Sequence, residues 1–143
     1  MGNTKIIYKH LIPATMDSNS KFDQAQANYE FAINELMRPK EDVVLLSACH
    51  SVKKSIRGYL TGFLETNKVT FSPEESIESL MSRCLKEDAN FVQFDMNTVK
   101  CKCDDGDCIG KSYCLSMEQV KNCISIVSDL GNFVAPGSDV API

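Results

Sequence analysis

Leu45-Leu46-Ser47-Ala48-Cys49-His50-Ser51-Val52-Lys53-Lys54-Ser55-Ile56-Arg57-Gly58-Tyr59-Leu60-Thr61-Gly62-Phe63-Leu64 is the stretch on which the fold turns. Leu45, Cys49, Val52, Ile56, Tyr59, Leu60 and Phe63 recur at intervals of three and four, which aligns them on one face of a helix. Leu46 and Leu64 flank that stripe and widen it, as expected for a helix that touches several neighbours. Gly58 and Gly62 would each cost about 1 kcal/mol relative to Ala in an exposed helix. Their expected purpose here is to let another helix come close.

The neighbouring segments read as helices too. Upstream, Phe22, Ala25, Tyr29, Ala32, Ile33 and Leu36 share one helical face, with Asp17 or Ser18 as the cap. Pro39 stops that helix and suits the first turn of the next, where Glu41 and Asp42 favour the positive end of the helix dipole. Downstream, Ser72-Pro73-Glu74-Glu75 has the form of a capping box and predicts a third helix burying Ile77, Leu80, Met81, Cys84 and Leu85. Ser116-Met117-Glu118-Gln119 is a second box, opening a helix with Val120, Cys123, Ile124, Val127, Leu130 and Val134 inside and Gly131 and Pro136 at its end. A short fifth piece is expected near Asn90 to Met96.

Four amphipathic segments without a strand pattern predict an all-α, up-down four-helix bundle. The expected organisation is an N-terminal arm over 1–17, the bundle over 18–134 with a Cys-rich connection at 97–115, and a flexible tail over 135–143. The expected core holds Tyr29, Ile33, Leu36, Leu45, Val52, Ile56, Leu60, Phe63, Leu80, Cys84, Ile124 and Val127.

Composition narrows the function classes. The 143 residues suit one domain, and 43% hydrophobic with 24% charged residues is the balance of a globular chain. Fifteen Lys and Arg against nineteen Asp and Glu leave a formal charge of −4, which argues against a broad basic surface that wraps DNA. No apolar run is long enough to span a bilayer. A soluble, cytoplasmic protein without membrane partners is therefore expected. The seven cysteines are an odd number and follow no export signal, so they read as reduced thiols rather than a disulfide framework.

The segment Ala48 to Leu60 resembles the central helix of the higher eukaryote and prokaryote nucleotide-binding (HEPN) domain family. Lys54 and Arg57 fall on that helix's two basic positions and Val52, Ile56, Tyr59 and Leu60 on apolar ones. Glu75 to Leu80 resembles the segment that follows in the family, and Lys86 to Phe91 its acidic turn ending in an aromatic. The resemblance covers roughly residues 22–91 and a last helix of fitting pattern. Lys53 departs from it where the family often has Glu, and Glu75 where it often has His. The chain also lacks the Arg and His pairing, four to six residues apart, of the family's RNases. Its histidines are His10 and His50; Arg38 and His50 are too far apart for that motif, and the last helix contains neither residue type. Without a paired imidazole and guanidinium there is no evident means to activate a ribose hydroxyl and stabilise a charged phosphate. The resemblance thus implies a HEPN-like module that is not catalytic, one that binds a nucleotide or supports a nucleotidyltransferase-type partner. An RNase with an atypical site around His50 and Arg57 is the rival reading.

Two groups of residues stand out for chemistry. His50, Lys53, Lys54 and Arg57 run beside the apolar face and could grip phosphate oxygens, with Arg57 offering a bidentate fork; the alternative is a solvated face of salt-bridging lysines. Cys101, Cys103, Cys108 and Cys114 crowd into fourteen residues. Four thiolates could hold zinc in a closed structural site, although the spacing is not that of paired Cys-x-x-Cys ligands. A metal-stabilised interaction domain built on this loop is a further alternative, as are ordinary loop cysteines. Finally, Val43, Val44, Leu46 and Leu64 lie outside the main stripe and are expected to pair two copies as a homodimer. A folded-back arm over Lys5 to Leu11 is the alternative cover.

Overall fold

The structure, a computed structural model, describes residues 14–95 and 116–135. Four helices account for most of it: α1 (Ala14–Leu36), α2 (Leu45–Thr66), α3 (Ile77–Glu87) and α4 (Met117–Val134). Two 3-10 turns, Lys40–Asp42 and Ala89–Gln93, stand between them. Among the described residues there is no strand. The fold is all-helical, as the 3.6-residue patterning requires. The expected Cys-rich connection at 97–115, the tail beyond 135 and the greater part of the arm lie outside the described residues.

The quoted stretch is the central helix. α2 packs against α1, α3 and α4, and its widened apolar face explains how one helix serves three neighbours. Val52, Ile56, Tyr59, Leu60 and Leu64 are buried together with Ala25, Tyr29, Ala32, Leu80, Cys84, Ile124, Val127 and Leu130. Each large side chain removed from water in this way contributes roughly 1.5–3 kcal/mol. Ile33, Leu36, Leu45 and Phe63, expected in the core, pack against it while part-exposed.

α1 and α2 are antiparallel, because Glu35 meets Val44, Ala25 meets Gly58 and Lys21 meets Glu65. The glycines serve close approach. A Cβ on Gly58 would lie 2.9 Å from the Cβ of Ala25, and one on Gly62 would lie 2.5 Å from the ring of Phe22. The Ser55 hydroxyl, also buried in this seam, donates to the Ala25 carbonyl at 2.7 Å.

Several boundaries differ from the sequence-based expectation, each for a local reason. α1 begins at Ala14, so residues 14–17 belong to the helix and not to an arm; no Gly or Pro interrupts the chain between Ala14 and Leu36. Pro39 does not open α2. It precedes the short 3-10 turn, after which Val43 and Val44 are extended, the conformation that β-branched residues favour. The Glu35 carboxylate, only 7% exposed, accepts the Val44 N–H at 2.8 Å and pairs with Arg38 at 3.2 Å. A side chain of α1 thereby caps the entry to α2.

The third helix also starts late. Only half of the capping box forms there: the Ser72 N–H donates to the Glu75 carboxylate at 3.0 Å, but the Ser72 hydroxyl accepts from the Glu74 N–H, at 3.3 Å, and not from that of Glu75. The chain stays a turn there, and the helix begins at Ile77 with Ser76 as its cap, accepting the Ser79 N–H at 3.1 Å. Glu75 is drawn onward instead, to the Ser79 hydroxyl and the Arg83 guanidinium. In α4 the box works as expected, Ser116 accepting the Gln119 N–H at 3.1 Å. Gly131, expected to end that helix, is buried inside it. A Cβ there would come within 2.8 Å of the Tyr59 ring, so this glycine makes room for an aromatic residue of α2.

The expected fifth piece is the turn Ala89–Gln93, capped by Asp88. It carries Phe91 into the core, where Phe63 lies 4.7 Å and Phe133 5.0 Å away, both edge-on.

Candidate functional site

The cleft that stands out lies between α1 and α2 and is closed at one end by the connection that follows α2. Its volume is about 660 Å³, within the range of small-ligand sites. From α1 come Lys21, Gln24, Ala25 and Asn28; from α2 come Lys54, Arg57, Gly58, Thr61 and Glu65. Val69, Thr70, Phe71 and Pro73 form the end wall. The α2 residues recur at spacings of three and four, so they share one face beside the apolar stripe. From Lys54 to Glu65 that face runs about 16 Å at the usual helical rise.

Charge within the cleft opposes that of the whole chain. Lys21, Lys54 and Arg57 face one carboxylate, Glu65. Lys21 and Glu65 meet across the mouth at 3.6 Å, both part-exposed. Such a pair is worth at most about 1 kcal/mol, so Lys21 can leave Glu65 for an incoming anion at little cost. The Thr61 hydroxyl donates to the Arg57 carbonyl at 2.7 Å, so its oxygen can still accept a hydrogen bond. Asn28 gives an amide N–H to the Gln24 carbonyl at 2.9 Å and keeps its own side-chain oxygen for a donor.

The stripe read from the sequence is divided by the fold. Lys54 and Arg57 line the cleft. Lys53 does not, since it lies one residue around the helix and is buried to 6% exposure. His50 is also outside the cleft. Its Nε2 is enclosed without a hydrogen bond, and burial, then Lys53 and Lys54, hold its pKa below the ordinary histidine value. With Nε2 enclosed and the ring outside the cleft, His50 is not placed to anchor a phosphate there. Lys21, Asn28 and Thr61 were not singled out in the sequence. Their signal was present: Thr61 follows Arg57 by one turn, and Lys21, Gln24 and Asn28 recur at helical spacing on α1.

The cysteines depart from the expected reduced set. Cys84 and Cys123 are buried in the core, where a thiol packs as a small hydrophobe. Cys84 donates to the Leu60 carbonyl at 3.7 Å, and burial, with Glu87, pushes its pKa up to about 12. Cys49, by contrast, is disulfide-bonded. An odd total excludes complete pairing but not a single bridge. Cys101, Cys103, Cys108 and Cys114, the expected zinc ligands, lie outside the described residues. Among the described residues no group of three or more His, Cys, Asp or Glu is placed to hold a metal, and no helix is long and apolar enough to cross a membrane.

Of the residues expected to form a dimer patch, Leu64 belongs to the core at 0% exposure and Leu46 packs against it. Val44 is the one that remains well exposed, at 50%.

A scan against protein-family models finds no match, and neither the curated proteins nor the solved structures contain a chain that matches this one.

Proposed function

We propose that this chain is a binding module, not a catalyst, and that the α1–α2 cleft takes a phosphate-bearing ligand, in the first instance a nucleotide. One observation carries the reading: Lys21, Lys54 and Arg57 converge on a single cleft in a molecule whose net charge is −4. A local cationic recess on an acidic surface concentrates anions there and repels them elsewhere. Arg57 supplies a planar fork and the lysines supply point charges, the combination suited to phosphate oxygens. The opposite end presents Phe71 and Val69, with Thr70 and Glu65 as polar neighbours, a surface that suits a base and sugar. The HEPN resemblance points the same way, since Lys54 and Arg57 carry it and both line the cleft. It further implies service to a nucleotidyltransferase-type partner, which would meet the module while the cleft is loaded.

The cleft is complete within one chain, so the reading does not require two copies to pair. Isothermal titration with a nucleoside monophosphate at low salt tests it. Saturable binding is expected, weakened about tenfold or more when Lys54→Ala and Arg57→Ala are combined, because charged hydrogen bonds contribute about 1.5–3 kcal/mol each. A wild-type protein that gives no binding heat and no protection against thermal unfolding would overturn the reading.

A further inference from the structure

The chain leaving α2 does something unusual at Lys68. α2 ends in a Schellman arrangement: the Val69 N–H donates to the Leu64 carbonyl at 2.9 Å and the Lys68 N–H to the Glu65 carbonyl at 3.0 Å. That closure places Lys68 at φ 58°, the left-handed region where glycine is the ordinary occupant. Lys68 is the one residue other than glycine with a positive φ among those described. A lysine here destabilises the turn relative to glycine, and its side chain is what the chain obtains in return.

That side chain borders a second groove, of about 480 Å³, lined by Lys68, Val69, Thr70, Phe71, Ser72 and Arg83. Arg83 uses its Nε toward Glu75, its side chain stays 43% exposed, and it lines this groove. Val69, Thr70 and Phe71 line both recesses. The two are therefore adjacent, separated by a ridge that carries one part-exposed aromatic ring. Cations stand on both sides of it, Lys21, Lys54 and Arg57 on one and Lys68 and Arg83 on the other.

We infer that the ligand is a short single-stranded oligonucleotide whose backbone passes from the α1–α2 cleft over Phe71 into the groove beside Lys68. A lone nucleotide would fill one recess and leave the other unused. A strand puts phosphates on both sides and a base against the ring between them, the combination by which proteins hold single strands without reading their sequence. This rests on the reading of the cleft as a phosphate site, and it adds the second groove, the ridge and the strained lysine.

The test is displacement of a fluorescently labelled uridylate octamer by unlabelled uridine monophosphate, by a uridylate tetranucleotide and by polyglutamate of equal charge. The tetranucleotide is expected to bind at least about tenfold tighter than the mononucleotide. Lys68→Gly relieves the left-handed residue, so it is expected to raise the midpoint of thermal unfolding while erasing most of that tenfold gain. A tetranucleotide no tighter than the mononucleotide, or a gain that survives Lys68→Gly, overturns the inference and leaves the cleft as a mononucleotide site. Polyglutamate competing as well as the tetranucleotide overturns it in favour of an acidic protein segment. If none of the probes binds, the cleft reading and this inference fail together.

Discussion

Tyr59 shows how a single residue can be legible in one respect and hidden in another. Its place on the apolar stripe of α2 follows from spacing alone, and it is fully buried. Nothing in the spacing says that its hydroxyl ends against Gly131, enclosed and without a hydrogen bond. Burial, with Tyr29 and Glu30 nearby, pushes its pKa up to about 12, so the phenol is neutral at every pH at which the protein would be handled. A buried hydroxyl left unsatisfied costs about 1–3 kcal/mol. Tyr59→Phe is therefore expected to stabilise the fold by roughly 1 kcal/mol, read as a higher urea midpoint with an unchanged slope. Destabilisation by a similar amount would mean that the hydroxyl does have a role in the core. The same distinction divides the basic stripe. Helical spacing could group His50, Lys53, Lys54 and Arg57, but which of them faces a cleft depends on where α1 lies. Only Lys54 and Arg57 face it.

At the scale of elements, the apolar faces of the helices were readable because burial imposes the 3.6-residue period on the sequence, although Leu85, expected inside, lies at the edge of its face and is 36% exposed. Ends were less readable wherever two local signals compete. The α4 box has no rival and begins its helix as expected. The box at Ser72 competes with Ser76, and the long-range pull of Ser79 and Arg83 on Glu75 settles the matter four residues later. Those donors, Arg83 first and then Ser79 and the Ser72 N–H, hold the Glu75 pKa at about 2, against an ordinary 4.5. A carboxylate whose pKa is depressed by folding stabilises the fold above its unfolded pKa, and that contribution is lost as pH falls through the folded value. Thermal melts of the wild type and Glu75→Gln should thus differ fully above pH 4.5 and converge as pH falls toward about 2. A difference that stays constant across this window would contradict the hydrogen-bonded ring around Glu75.

For the whole molecule, the all-helical class followed from the 3.6-residue period of the apolar positions, whereas composition supplied only a net charge of −4. Charge alone could not reveal that three cations line one cleft, because Lys21 and Arg57 are 36 positions apart in sequence and become neighbours only through the antiparallel α1–α2 packing. Gly58 makes that neighbourhood possible by letting α1 approach α2 at the floor of the cleft. Fold and candidate site are thus products of one packing event. The most direct measurement is amide-resolved NMR of the labelled protein titrated with a nucleoside monophosphate. The account predicts that the largest shifts fall on Asn28, Arg57, Gly58, Thr61 and Thr70, and that they saturate together with a single affinity. Saturating shifts centred on the aromatic end around Phe91 and Phe133, with the α1–α2 cleft unmoved, would contradict it.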